Sequence, residues 1–529
     1  MRQYFNKTLH LTLFYFKRNL VTNALWVISI ALLTLIIPPA FKAMYPTQRE
    51  LNTVIPMLDN PAVKTMLGPI KLDDVNIATV FAHEMLLFTA IVVAIMNILF
   101  VGQQTRGDEE RGRLILLNAL PIGKHAQIMS VMLNIIILNL ALFIPIGSGL
   151  LVMSGDGFST IGSLLYALNL SAIGVLFGFL TLVVAQLATT VSGTTGITIG
   201  ILMLSYFIRA IGDGLYNDLS LISPLGWLSR TFPYAENNWW PLVFIMILAL
   251  ICLPSAMILK IKRDINSGYL PEKSGHTHIK RYMKSPLGLQ IRLQRTLFIS
   301  FACGMLLLGL SYGSIFGTLD TFFEDNPLLK QMLVSKGDNY AEQFLPTLMV
   351  VMAMVATIPT LISLFKFKKD NHHGYTLMLL ANPMTRLTYF GTYIILSIIN
   401  AFTMIFLASL GLYIGQYFVM DEPLSFISVI SSGIIYIPAI LAFVALGILI
   451  LGVSNKLTSI VYAYLAYCFV VVYIGNLLNV REWLKNLTPF HHIPQIPIDD
   501  FTVLPLIILI ILALCITVFG LLLFQRKDL

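Results

Sequence analysis

The chain has 529 residues, of which 57% are hydrophobic and 11% charged, and its formal net charge is +8. Soluble globular proteins have about a quarter of their residues charged, so this composition excludes a soluble class. The apolar residues come in blocks of about 20, the length that an α-helix needs to cross the hydrocarbon core of a bilayer. We therefore predict an all-α polytopic membrane protein.

In chain order, the apolar blocks predict about twelve transmembrane helices. Basic residues precede the first block, which is longer than the apolar core of a secretory signal, so we expect an anchored first span and a cytoplasmic N-terminus. The predicted spans cover residues 22–42, 80–102, 126–153, 161–185, 189–209, 240–261, 296–317, 344–366, 388–413, 424–451, 457–478 and 504–525.

The basic residues support this orientation. With the N-terminus inside, most of the 34 lysine and arginine residues fall on cytoplasmic loops and ends, as the positive-inside rule requires. This distribution explains the positive charge without a nucleic-acid partner. It places both termini in the cytoplasm and makes residues 263–286 the longest cytoplasmic connection, a basic linker.

The two halves of the chain share landmarks in the same order. The pairs are Asp59–Leu67 with Asp325–Leu333, Gly112 and Pro121 with Gly374 and Pro383, and Ser223-Pro224 with Thr488-Pro489. Recurrence of this kind is typical of a duplicated unit, and both copies enter from the same side of the membrane. We predict two parallel six-span repeats, residues 1–262 and 287–529, separated by the linker.

Each half begins with a stretch of mixed polar and aromatic residues, residues 4–19 and 287–296. Such a pattern predicts an amphipathic elbow helix in the membrane interface, with basic side chains directed towards anionic headgroups. For the second, shorter copy, simple flanking charge explains the pattern equally well.

A charged segment after the second predicted span leads into a short apolar helix that ends before Pro121, because a residue before proline is disfavoured in the α region. The second half repeats this pattern, with a basic segment at residues 366–374 and Pro383 after the apolar stretch. An apolar helix at the cytoplasmic face needs a cover, which a partner protein supplies. The alternative is a solvated loop with its helix tucked under the bundle. The recurrence favours a docking element.

The segment at residues 221–242 contains the motif SPLGW, followed by PYAENNWWPL. Here the chain resembles the polyketide-antibiotic exporter permeases of the ABC superfamily, and the order of landmarks extends the resemblance over nearly the whole chain. That family has two fused six-span repeats and an EExG-type coupling motif, which corresponds to residues 109–112. The second repeat departs from the pattern, since His372-His373 replaces the acidic pair and Thr488–His492 lacks the Gly-Trp.

The resemblance implies the transmembrane subunit of an ATP-driven exporter, which binds two copies of a separate ABC ATPase and moves a hydrophobic or amphipathic compound. The chain has no GxxxxGK[ST] phosphate loop, so ATP and Mg are expected on the ATPase partners, with no cofactor and no enzymatic activity in this chain. A bacterial plasma membrane is the expected location. The sequence does not distinguish export of a drug or antibiotic from removal of a lipid or peptide.

The resemblance and the repeat together nominate two groups of residues. The residues expected to couple the chain to the ATPases are Asp108, Glu109, Glu110, Arg111, Gly112, Pro121, Asp370, His373, Gly374 and Pro383. The residues expected to gate the extracellular exit are Ser223, Pro224, Gly226, Trp227, Thr488 and Pro489.

Polar residues inside the spans are candidates for the substrate pathway. Glu84 is costly in lipid and is expected to face a cavity, as a contact for a cationic substrate group, or to reach the outer headgroups. Asn139 and Asn400 are candidates as well, although amides in spans also join helices. Tyr464 offers an aromatic surface to a substrate or packs in the core.

The four cysteines are scattered through apolar blocks. None belongs to a CxxC pair or to a spacing typical of metal ligands, so we predict neither a disulfide framework nor a zinc site.

The main alternative is a proton-coupled multidrug transporter of the major facilitator type, which also has twelve spans in two halves. Its loop motif requires Gly, then Asp-Arg, then Gly-Arg. Aligned on Gly112-Arg113, this chain has Thr105 at the first Gly and Glu109-Glu110 where Asp-Arg belongs. A membrane enzyme needs clustered carboxylates or histidines at one depth, and the two His-His pairs are predicted on opposite sides of the membrane.

Overall fold

The computed structural model describes residues 5–526, except residues 59–60, 72–74, 154, 156, 216–218, 265–266, 271–277, 279–280, 315, 319–339, 382, 421, 475–480 and 499–500. The described residues are mostly helical and contain no β-strand. The chain forms two compact units, Met1–Ser274 and Gly275–Leu529, and the boundary between them falls inside the basic segment 263–286. The copy of the first landmark at Asp325–Leu333 lies outside the described residues.

The described residues of the first unit form twelve α-helices and a short 3₁₀ turn, Leu219–Ile222. The helices are α1 (Thr8–Arg18), α2 (Leu20–Met44), α3 (Gln48–Leu58), α4 (Pro61–Leu67), α5 (Ile77–Gln104), α6 (Arg106–Glu110), α7 (Arg113–Asn118), α8 (Ala126–Val152), α9 (Thr160–Leu187), α10 (Val191–Leu215), α11 (Pro224–Ser229) and α12 (Trp240–Ile261).

Helix α9 is the centre of the first unit. It packs against α5, α8 and α12, and most of its side chains are buried. Glycines permit the close approach of these helices: a Cβ on Gly174 would fall 2.0 Å from the Oδ1 atom of Asn139. Small residues at contacts are the usual means by which helices pack in a bilayer, where lipid competes with apolar side chains.

The second unit contains nine α-helices in its described part. They are α13 (Pro286–Gly313), α14 (Tyr340–His372), α15 (Tyr375–Leu380), α16 (Arg386–Tyr417), α17 (Phe426–Ile434), α18 (Ile437–Val453), α19 (Ser459–Phe469), α20 (Glu482–Lys485) and α21 (Val503–Arg526).

The most extensive helix contact in the described part of the second unit is between α13 and α16. Glycines meet the opposite backbone from both sides: a Cβ on Gly309 would fall 2.1 Å from the carbonyl oxygen of Ala408, and one on Gly411 would fall 2.2 Å from that of Leu306. The two helices therefore approach more closely than larger residues would allow.

Eleven helical segments of the described chain are long and apolar enough to cross a membrane, which makes the chain a multi-pass membrane protein. The predicted span at residues 457–478 is different. Its described part is a shorter apolar helix, Ser459–Val472, because α19 passes into a π-helical turn at Val470–Ile474 and residues 475–480 lie outside the description.

The two predicted elbow helices also differ. Helix α1 is separate, because Asn19 leaves the helical conformation between α1 and α2. In the second unit, residues 287–296 are the first turns of the continuous helix α13, which begins with Ser285 as its N-cap and Pro286 as its first residue. No residue within α13 interrupts its hydrogen bonding, so no separate elbow helix forms.

Candidate functional site

Each unit contains a segment that corresponds to one in the other unit. The first follows α5, and the second begins in the last turns of α14. We call residues 106–121 the first junction segment and residues 368–383 the second. Each contains a buried aspartate, a glycine four residues later and a short helix, α7 or α15. The glycines, Gly112 and Gly374, have φ angles of +68° and +77°, a conformation that favours glycine.

In the first junction segment, Asp108 is fully buried and ionically paired. The Nη1 atom of Arg18 lies 3.0 Å from both of its carboxylate oxygens, and Nη1 of Arg113 lies 3.3 Å from Oδ1. The guanidinium of Arg18 also stacks over the ring of Tyr15. Burial, and then the charge of Asp108, raise the pKa of the Tyr15 phenol. Helix α1 is thus tied to α6, which directly follows α5, by charge.

Glu109 is the centre of a second ionic cluster. Arg263, just after α12, donates to both of its carboxylate oxygens at 3.0 Å, and Arg106 donates to Oε2 at 3.1 Å. Arg106 is itself buried and donates to the carbonyl oxygens of Ala185 and Ser267. The cluster therefore links α6 to the ends of α9 and α12.

The other charged residues of the motif are also engaged within the unit. The Oε1 atom of Glu110 accepts the backbone N–H of Val191, the first residue of α10, at 2.7 Å. Arg111 donates to Oε1 of Gln103 at 3.1 Å. The carboxylates at positions 108 to 110 thus hold three different neighbouring elements, and they are not displayed as an open acidic surface.

The exposed part of each junction segment is apolar. In α7, the side chains of Ile115 and Leu116 are 56% and 72% exposed, and in α15 those of Leu377 and Met378 are 62% and 72% exposed. These pairs stand at the third and fourth positions after Gly112 and Gly374. The residue before each pair, Leu114 or Thr376, is buried in both units, so the two helices present the same face. Pro121 and Pro383 are exposed at the end of each segment.

The second junction segment is held by neutral side chains. Gln290 of α13 donates to the hydroxyl of Tyr393 at 2.6 Å, and that hydroxyl donates to Oδ2 of the buried Asp370 at 2.7 Å. His373 is exposed: its Nδ1 lies 2.7 Å from the carbonyl oxygen of Lys369, and its ring stacks on Tyr375. The aspartate is thus common to both units, whereas its partners differ.

The predicted gate residues of the first unit form a compact turn. Ser223 is the N-cap of α11: its hydroxyl accepts the N–H of Leu225 and donates to the carbonyl oxygen of Ser205 at 2.6 Å. Pro224 occupies the first turn of the helix. A Cβ on Gly226 would fall 2.0 Å from the carbonyl oxygen of Ser220, so this position requires glycine.

The aromatic side chain of this turn is anchored as well. Nε1 of Trp227 donates to the carbonyl oxygen of Leu221 at 2.6 Å, and its ring lies 6.0 Å from that of Phe244 in α12.

The matching turn of the second unit is a 3₁₀ helix, Pro489–His492. Thr488 precedes it and is buried, and its hydroxyl donates to the carbonyl oxygen of Lys485 at 2.8 Å. Phe490 packs on Phe443 of α18 with their ring centroids 5.6 Å apart. The two turns therefore share the Ser/Thr-Pro start but not the helix that follows.

The candidate pathway residues occupy different environments. Asn139 and Asn97 exchange hydrogen bonds through their side-chain amides at 2.8 and 3.2 Å in the core, an arrangement that joins α8 to α5. Asn400 is buried in α16, and its Oδ1 atom has no partner in the described chain. The hydroxyl of Tyr464 donates to the carbonyl oxygen of Leu487 at 2.5 Å. Glu84 is half-buried near Tyr45.

One buried ion pair, on α10, was not predicted from the sequence. Arg209 and Asp213 lie one turn apart on α10, with Nη1 and Oδ2 3.6 Å apart, and both side chains are buried. Arg209 also donates to the carbonyl oxygen of Met66 at 2.9 Å and stacks on Tyr206. The signal available was the i,i+4 spacing of opposite charges within an apolar block, which indicates an internal pair.

The comparisons agree with this architecture. The chain is 27% identical over 532 residues to "Multidrug efflux system permease protein Rv1217c" of Mycobacterium tuberculosis. The alignment covers 99% of this chain and 95% of that protein. The family described as "Multidrug efflux system permease Rv1217c, C-terminal domain" matches residues 24–259 and 283–525. The protein thus belongs to this family of multidrug efflux permeases.

Proposed function

We propose that the chain is the membrane subunit of an ATP-driven exporter and that two separate ABC ATPase subunits bind at α7 and α15. The observation that carries this proposal is the pair of junction segments. Each displays two apolar side chains from a short helix at the same register after a left-handed glycine. Exposed apolar helices at corresponding places in two units fit two copies of one partner protein.

The ionic clusters supply the mechanical link. Asp108 connects the first junction segment to α1, while Glu109 connects it to α9 and α12. A force on α7 would therefore reach several apolar helices of the first unit without a flexible step. In the second unit the corresponding path runs from Asp370 through Tyr393 to Gln290 in α13. We infer that the ATPases act on the spans through these contacts.

Orientation and substrate follow from chemistry already described. The basic residues support cytoplasmic termini and cytoplasmic junction segments. Because the relative is bacterial, we propose a bacterial plasma membrane as the location. The turns that begin at Ser223 and Thr488 then lie on the outer side, where we assign them to the exit. The relative is named a multidrug efflux permease, and we propose a hydrophobic or amphipathic compound as the exported substrate of this chain.

Site-specific crosslinking tests the partner. A photoreactive amino acid replaces Leu116 or Met378, both exposed, in the chain produced in its native cells. We expect ultraviolet light to attach a protein that contains a GxxxxGK[ST] phosphate loop at both positions. The matched control is Ile222, which is exposed to a similar extent at the turn before α11. The proposal fails if neither junction position captures such a protein, or if position 222 captures it equally well.

A further inference from the structure

A large groove lies in the first unit beside the first junction segment. Its volume is about 990 Å³. One wall is formed by Phe5, before α1, and by the residues that follow Pro121, and the other by the end of α12. The buried Leu114 of α7 also faces the groove, which therefore reaches the underside of this short helix.

The wall near α1 is held in place by hydrogen bonds. The N–H of Gly123 donates to the carbonyl oxygen of Asn6 at 3.2 Å, and the side chain of Asn6 donates to the carbonyl oxygen of Pro121 at 3.3 Å. The rings of Phe5 and His125 lie 5.7 Å apart. Hydrogen bonds and a ring contact within the first unit thus fix this wall of the groove.

The lining combines an apolar floor with positive charge. Met257, Ile258 and Ile261 of α12 form the floor, and Lys124, Lys260 and Arg263 are its cations. None of the lining residues that the structure describes carries a carboxylate. An apolar floor with a cationic rim complements a molecule that has an anionic head and a hydrocarbon tail.

The cations are only partly neutralised by the protein. The Nζ atom of Lys260 donates to the neutral Oε1 atom of Gln127 at 2.8 Å. Arg263 shares the carboxylate of Glu109 with Arg106, so two guanidinium groups face one carboxylate. The Nε atom of Arg263 is buried and has no hydrogen-bond partner in the described part of the chain.

A neighbouring histidine lies close to the same positive charges. The pKa of His125 is lowered, first by burial and then by the positive charges of Lys260 and Lys124. The groove therefore has a positive potential at the point where α12 ends, which is also where an apolar span reaches the headgroup region.

We propose that this groove binds an anionic phospholipid of the surrounding bilayer, with its phosphate at Lys124, Lys260 and Arg263 and an acyl chain along the apolar floor. The bound lipid would contact Leu114 and so support α7 from below. This site does not depend on an ATPase partner, so its test is separate from that of the proposed function.

Native mass spectrometry of the detergent-purified chain measures the binding. We expect phosphatidylglycerol to bind more tightly than phosphatidylcholine with the same acyl chains, and inorganic phosphate at the same concentration not to displace it. The double variant Lys124→Gln/Lys260→Gln should weaken phosphatidylglycerol binding by about tenfold or more, since each basic residue near an anionic headgroup strengthens the attraction several-fold. The matched control, Lys262→Gln, removes an exposed charge beside the groove and should leave the affinity unchanged.

Each contrary result overturns the proposal. Equal binding of phosphatidylcholine would indicate a purely apolar surface, and displacement by inorganic phosphate would indicate a site for a free anion. Because Lys124 is exposed, we expect Lys124→Gln alone to leave the fold intact, and it should still weaken binding several-fold. A phosphatidylglycerol with a photoreactive acyl chain should label the peptide that contains Met257 and Ile258, and labelling only elsewhere would contradict the site.

Discussion

Arg18 of α1 places its Nη1 atom 3.0 Å from both carboxylate oxygens of Asp108, a residue 90 positions further along the chain. This contact joins an elbow helix to the end of a transmembrane helix, and Arg113 of α7 reaches the same carboxylate. One buried acid thus fixes the positions of three helices, including the one that carries the exposed apolar pair Ile115 and Leu116.

Neutralising this acid should loosen the first junction segment. Asp108→Asn keeps the volume but leaves Arg18 and Arg113 without their carboxylate, and Arg18 is only 24% exposed. We expect a loss of about 1–3 kcal/mol in the free energy of unfolding, measured by thermal unfolding in detergent. In a double-mutant cycle with Arg18→Gln, the second substitution should add little to the first. Strict additivity would contradict the pairing.

The left-handed glycines should be essential to the junction segments. Gly112→Ala or Gly374→Ala adds a Cβ that meets no atom within 4 Å, so the expected cost of roughly 1–2 kcal/mol comes from the backbone alone. We expect reduced crosslinking to the ATPase from positions 116 and 378. Gly391→Ala is the matched control, because Gly391 lies within a helix and its Cβ also meets open space. Equal effects of the three substitutions would show that the turn is not required.

The turn at Ser223 should not tolerate a side chain at Gly226. Gly226→Ala would place a methyl group 2.0 Å from the carbonyl oxygen of Ser220, so α11 would have to move. We expect lower export and altered fluorescence of Trp227, whose indole N–H bonds to Leu221 in the same turn. Gly200→Ala, which meets open space in α10, should leave both unchanged. Normal export by the Gly226 variant would show that this turn is not part of the exit.

The reciprocal amides in the core should serve stability and not substrate recognition. Asn139→Ala breaks both hydrogen bonds with Asn97, and hydrogen bonds between helices in membranes contribute about 0.6–2 kcal/mol. We expect a lower unfolding temperature and an unchanged order of substrate preference in a susceptibility panel. A changed order of substrate preference with unchanged stability would indicate that Asn139 belongs to the substrate pathway.

The length of the apolar blocks predicts most of the fold, because a helix in lipid must be both apolar and about 20 residues long. It predicts α13 less well, since a flanking amphipathic stretch looks the same whether it is a separate elbow or the first turns of a span. The motif at residues 109–112 lies within the first junction segment, and its coupling role stays a prediction. Its acidic residues, however, face partners such as Arg263, far away in sequence, and spacing alone does not reveal such a contact.

The most direct test of the central claim is the energy source of export. Inside-out membrane vesicles are prepared from cells that produce the chain, and uptake of a hydrophobic dye is followed. One sample receives ATP with a protonophore. The other receives an imposed proton gradient with a non-hydrolysable ATP analogue. The account predicts uptake with ATP despite the protonophore, no uptake from the gradient alone, and loss of uptake in the exposed double variant Leu116→Ser/Met378→Ser. Uptake driven by the gradient without ATP hydrolysis would contradict it and indicate a proton-coupled transporter.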